Sequence, residues 1–309
     1  MRSGRHLSAA ALVCAAGMLL AAGTGTAVAA QRALCRGSSA HPGLLAGTFN
    51  TNVVIEGTCR VNAGPATIRG NLTLAPGSTL LALYALDDRK PGGPAHSKVT
   101  VFGNVNVGAD ASLQLGCEPI HEPCLDFQVP EEPEFYVSHD RVYGSIKATD
   151  ALAVNIHAST INGGVTQTSG GGGASCIPPV GSEEPVFSDY EDDSISGGVS
   201  IKSVFSCWMG LARDRINGNV SLVGNTLADP DAIEILANTI WGNLKCVGNS
   251  MVWDSAEVMG EKEPEPETPE FLWHFPRIAE PNHVLGKRSG QCVHEGKLTL
   301  DGPEGEGPF

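Results

Sequence analysis

Apolar and polar positions alternate in short runs along this chain, and most runs turn at a glycine. The clearest pair is Ile216-Asn217-Gly218-Asn219-Val220-Ser221-Leu222 and Ile240-Trp241-Gly242-Asn243-Leu244-Lys245-Cys246. In both, an apolar residue stands two before the glycine, and apolar residues or cysteine stand two and four after it. A period of two puts those positions on one face of a strand. Aligning on the glycine recovers further copies at 68–74, 101–107, 142–146, 161–165 and 195–201, with a degenerate last copy at 282–286. Each copy reads as a short strand, a corner and a second short strand. Glycine beside Asn or Gly suits a bend because these residues tolerate positive φ at least cost. It would also let a neighbouring coil approach closely, with the adjacent Asn forming a ladder along the stack.

Such a unit cannot bury its apolar face alone, whereas stacked copies can. The closest copies lie roughly 20 residues apart, the size of one coil of a parallel β-helix. The longer intervals fit one coil plus a loop, and the loops announce themselves in Pro and Gly at 86–97, 117–138, 170–192 and 251–281. The expectation is an all-β, single-stranded parallel β-helix, right-handed, with long disulfide-stapled insertions. A β-sandwich would not repeat I-x-G-N-V, and the sixth-residue rhythm of a hexapeptide helix is absent. Helix is scarce; residues 228–236 read either as a short helix or as a turn and strand.

The ends set the domain boundaries. Arg2, Arg5 and His6 precede an apolar run and the small residues Ala27-Val28-Ala29-Ala30. This reads as a secretory signal over 1–30 with cleavage before Gln31, so the mature chain is expected outside the cell. The solenoid then covers 31–295, including an acidic Pro-rich insertion at 254–281, and 296–309 reads as a disordered tail. No apolar stretch of spanning length follows residue 30.

Eight cysteines remain after the leader: Cys35, Cys59, Cys117, Cys124, Cys176, Cys207, Cys246 and Cys292. An even number in an exported chain reads as disulfides rather than a zinc site, which would want tight C-x-x-C or C-x-H pairs. Many pairings are open. The expected one is sequential, as local closure suits stacked coils. The formal net charge is −14, more negative still once Arg2 and Arg5 leave with the leader. That argues against nucleic acid and anionic lipid as partners.

Over nearly the whole mature chain the sequence resembles a family of uncharacterised exported actinobacterial proteins built from I-x-G-N-V repeats. The resemblance is carried by "GCEPIHEPC" (116–124), "GGGGASCIPP" (171–179), "YEDDSISGGV" (190–199), "SCWMGLARDRINGNV" (206–220), "ADPDAIEILANTIWGNLKCVGNS" (228–250) and "SGQC" (289–292). It implies secretion and a β-solenoid, and it supports pairing Cys246 with Cys292. It implies no activity. The chain departs from the family pattern in its long acidic linker and at Gly144-Ser145 and Gly286-Lys287.

Candidate chemistry is sparse. A β-helix enzyme acting on polysaccharide needs stacked carboxylates with a nearby base. The outward row three after each glycine holds Thr73, Asn106, Lys147, Thr166, Ser200, Ser221 and Lys245, and the row before each glycine also lacks an acidic column. The oxygen-rich run Asp189, Glu191, Asp192 and Asp193 has the residue types that bind calcium, although a charged, solvated loop leading into Ile195 is the simpler reading; no other cofactor is expected. Trp208 and Trp241 could stack on sugar rings, or pack the inserted loops onto the spine. The expected role is a secreted, non-enzymatic structural or interaction protein with glycan as its natural ligand or an extracellular protein as partner. The alternative is a carbohydrate-active enzyme, a lyase or hydrolase, with a loop-built site.

Overall fold

A computed structural model describes residues 32–83, 97–117, 138–182, 184–229, 233–254 and 281–293. The expected leader at 1–30, residues 255–280 of the acidic insertion, and the tail at 296–309 lie outside the described residues. Within them there is no helix, and Ile233–Leu236 is a strand.

Every strand pairs in parallel with its counterpart one coil away. The strands form an 18-stranded sheet, a 9-stranded sheet and a two-stranded pair. The 18-stranded sheet is two faces, A and B. They join through Asn52–Arg60, whose first half pairs with face A and whose second half pairs with face B. The 9-stranded sheet is face C. One coil runs Ser188–Glu191 on B, Ser194–Ile195 on C and Val199–Lys202 on A. The next begins at Met209–Ala212 on B. This is the parallel β-solenoid that the repeat implied.

The three faces differ in how they meet solvent. Strands of face A alternate buried and exposed, as in Val199–Lys202 and Leu244–Val247. Their inward column, from Val53 through Leu72, Val105, Ile146, Val165, Val199 and Val220 to Leu244, meets the isoleucines of face C in one continuous core. Burying each such side chain is worth about 1.5–3 kcal/mol. The later strands of face B are buried on both sides: Ser188–Glu191, Met209–Ala212 and Ile233–Leu236 have no exposed position. The breaks in the strand sequence after Leu83, Gly116, Thr168 and Asp254 all fall at an end of a face B strand, and the corner from C to A carries none.

The corner glycines serve the second of the two purposes expected of them, close approach of the coils, and not the first. Gly163, Gly197, Gly218 and Gly242 do not have positive φ; instead, a Cβ on Gly218 would lie 2.5 Å from the Gly198 nitrogen and 2.6 Å from the Gly197 carbonyl carbon. Glycine is needed for close backbone approach. Positive φ sits in two other stacked columns. One is Asp150, Ser169, Ser203, Gly224 and Gly248, and the other is Ala158, Asp192, Arg213 and Ala237. The Asn ladder is present. Asn71 N–H donates to Asn52 Oδ1, Asn104 N–H to Asn71 Oδ1 and Ser145 N–H to Asn104 Oδ1, each at 2.8 Å.

Disulfides join Cys35 to Cys59, Cys176 to Cys207 and Cys246 to Cys292, as the sequential pairing required. Cys117 is also disulfide-bonded; its expected partner, Cys124, lies outside the described residues. Three disulfides fit an extracellular protein. The last coil closes the core with polar groups. Asp254 is buried and ion-paired with Arg288, while Asn282 donates to Asp254 Oδ1 at 3.0 Å.

Candidate functional site

The outer side of face B holds two neighbouring acids, Asp189 and Glu191, of a kind that the glycine-framed rows lack. On strand Ala153–His157, Val154 and Ile156 point to the core, so Asn155 and His157 point outward. On Ser188–Glu191 the same alternation turns Asp189 and Glu191 outward. The register then sets Asn155 beside Asp189 and His157 beside Glu191. The result is a two-by-two array of polar side chains. His157 is 2% exposed, Asp189 3%, Glu191 4% and Asn155 6%. His157 Nε2 is 3.3 Å from Asp189 Oδ2.

Arg213, at the left-handed corner two coils from His157, reaches back over this array. It makes a close ion pair with Glu191, and its Nε lies 2.9 Å from Asp192 Oδ1. Burial pushes the Glu191 carboxyl well above the usual range; the neighbouring Asp189 raises it further, outweighing Arg213 and His157.

Of the four proposed calcium ligands, only Asp189 and Glu191 come together. They are buried strand residues rather than part of a solvated loop. Asp192 turns toward Arg213. Asp193 belongs to a second, internal ladder at the B-to-C corner. There Ser159 N–H donates to Asp193 Oδ1 at 2.8 Å, Asp193 N–H to Asp214 Oδ1 at 2.9 Å, Asp214 N–H to Asn238 Oδ1 at 2.8 Å and Asn238 N–H to Asn282 Oδ1 at 2.9 Å.

The two asparagines explain what the two aspartates do in this ladder. Asn238 Nδ2 donates to the Leu211 carbonyl at 2.7 Å, and Asn282 Nδ2 donates to the Ile235 carbonyl. Asp193 and Asp214 carry Oδ2 at the equivalent positions, buried and without a hydrogen-bond partner. In this ladder the amides donate to a carbonyl of the coil below; a protonated carboxyl can imitate the amide, and a carboxylate cannot. Burial raises both groups well above the carboxylate range, and Asp214 adds to the rise at Asp193. The folded state therefore holds these protons more tightly than the unfolded chain. The associated stability is complete below the unfolded carboxylate value of about 4 and is lost as pH rises through the higher folded value. Replacing both, Asp193→Asn with Asp214→Asn, should raise the neutral-pH melting temperature and flatten its decline between pH 5 and pH 8. Each unit of pKa elevation removed is worth about 1.4 kcal/mol. Thermal melts across that range check this, and a variant less stable than wild type at pH 8 would contradict the amide-mimic role.

The two tryptophans separate. Trp208 is 9% exposed and stacks on Phe187, with ring centroids 4.8 Å apart. Trp241 is 45% exposed on the rim between faces C and A. On the same rim Phe102 and Tyr143 stack on each other at 4.7 Å, with Arg69 over Phe102 and Arg141 over Tyr143. The ring faces of that pair are thereby largely taken by their neighbours.

Reading the residues six and four before each repeat isoleucine would have exposed the face B array. Those offsets give Asn155 and His157 before Ile161, and Asp189 and Glu191 before Ile195. Comparison with protein-family models, with curated proteins and with solved structures finds no match to this chain.

Proposed function

We propose that this protein is a secreted, non-enzymatic interaction scaffold that holds an acidic glycan on faces A and C. The observation that carries this is charge segregation. Although the whole chain is at −14, the outward strand positions of faces A and C and the rim between them carry Arg69, Arg141, Lys147, Lys202, Arg215 and Lys245, all exposed. Glu56, paired with Arg36, is the one carboxylate at those positions among the described residues. Serine, threonine and asparagine fill much of the rest, giving donors and acceptors suited to sugar hydroxyls. Lys147 and Lys245 stand in one column four coils apart, about 19 Å at the usual strand spacing. Complementary charge of this kind governs encounter rate and partner choice more than raw affinity.

The enzyme reading has one observation in its favour, the Glu191 carboxyl pushed upward by burial beside Asp189 and His157. Burial weighs against it, because a catalytic acid must touch the glycosidic oxygen. Incubation with polygalacturonate, alginate and dextran, scoring retention and depolymerisation together, separates the two. The scaffold reading expects salt-sensitive retention of the two acidic polymers, none of dextran, and no new ends. Release of reducing or unsaturated ends would overturn it.

A further inference from the structure

We propose that Asn155, His157, Asp189 and Glu191 form a closed structural site for a divalent first-row transition ion, with zinc and manganese as the best fits. One donor atom each from His157, Asp189 and Glu191 lies within 4.8 Å of the other two, a separation that small rotamer changes close to the spread of ligands around one ion. The independent observation is the hydrogen bonding of the imidazole and amide donors. Both ring nitrogens of His157 and Asn155 Oδ1 are buried and have no hydrogen-bond partner, in side chains that are more than nine-tenths buried. Burying such groups unsatisfied costs about 1–3 kcal/mol each. An ion bound by the array would satisfy donors that otherwise lose hydration without replacement.

The donor set selects the ion class. Imidazole nitrogen favours the borderline transition ions, and carboxylate and amide oxygens extend the set toward manganese. A calcium site would be built from oxygens alone. Arg213, already paired with Glu191, would fix the carboxylate from outside, as outer partners of metal ligands commonly do. Full burial is the mark of a structural site, since catalytic sites keep an open position. The ion would tie strand Ala153–His157 to Ser188–Glu191, the two face B strands separated by the insertion that follows Thr168. The other close group of donors, Cys176, Cys207 and Asp229, is not a rival, because its sulfurs are joined in a disulfide.

The test uses the full mature chain, unfolded in denaturant with chelator under non-reducing conditions and then refolded with zinc chloride, manganese chloride or neither. After gel filtration, elemental analysis should give one ion per chain, and the loaded protein should melt several degrees above the ion-free protein. His157→Gln should keep the β-rich circular dichroism spectrum and bind the ion at least tenfold more weakly. X-ray absorption of the loaded wild type gives a readout that does not depend on the variant folding. It should show one imidazole with oxygen neighbours at about 2.0–2.2 Å. Absence of stoichiometric metal, equal retention by His157→Gln, or sulfur in the coordination shell would each overturn the site.

Discussion

Gly218→Ala should lower the melting temperature by about 10 °C or prevent folding. The added methyl would lie 2.5–2.7 Å from three backbone atoms of Gly197 and Gly198, and backbone cannot rotate aside as a flexible side chain can. Relief requires two coils to part at a corner where the Gly218 N–H donates to the Gly197 carbonyl at 2.8 Å. Overpacking a well-filled interior costs about 1–3 kcal/mol, and more where nothing yields. For a domain of this size, about 3 kcal/mol corresponds to roughly 6–12 °C. Gly248→Ala is the matched control. Gly248 has φ +67°, and a Cβ added there would meet nothing within 4 Å; the penalty is only the left-handed backbone, roughly 1–2 kcal/mol. The same column already accepts Ser169 and Ser203. Thermal melts of the two variants measure the difference. Equal losses would mean that conformation, rather than coil-to-coil contact, selects glycine at Gly218.

Replacing Cys246 and Cys292 together by serine should cost about 4 kcal/mol. The disulfide closes a loop with a sequence separation of 46 residues. The chain-entropy relation gives about 3 kcal/mol for a 15-residue loop and about 4.7 for a 100-residue loop. Both cysteines are fully buried, so the hydroxyls would also enter the core without their own partners. The loss should concentrate in the final coil. Among the described residues, His283–Val284 and Arg288–Gly290 pair only with the preceding coil, and a coil with one neighbour has less to lean on. Hydrogen exchange should show early opening of these two strands while Val199–Lys202 stays protected. Uniform loss of protection across all coils would contradict the local assignment.

The strands of faces C and A were legible because each copy spells them with the same residues around one glycine. Ile195 over Ile216 over Ile240 repeats at fixed register, and Val199 over Val220 over Leu244 does the same. Face B was harder to read. Its strands carry Asp189, Gly210, Glu234 and Trp253 in one column, with no common residue type. Burial on both sides erases the polar-out signature by which half-exposed strands are recognised. The array of His157 and Glu191 shows only when equal offsets before successive repeat isoleucines are compared, because its members lie in different coils and the register brings them side by side. The acidic run at Asp189–Asp193 resembles a solvated loop because its charges are consecutive. In the fold, alternate residues face opposite ways and the corner divides them between an outer array and an inner ladder.

The assignment of binding to faces A and C is tested most directly by affinity electrophoresis in gels containing polygalacturonate. Wild type is compared with the Lys147→Gln, Lys202→Gln, Lys245→Gln variant. All three lysines are exposed on face A and make no salt bridge among the described residues, so the fold should survive their loss. The account predicts retardation of wild type and at least tenfold weaker binding by the variant, about 1.4 kcal/mol. Equal retardation of the two proteins, or none for wild type, would contradict it.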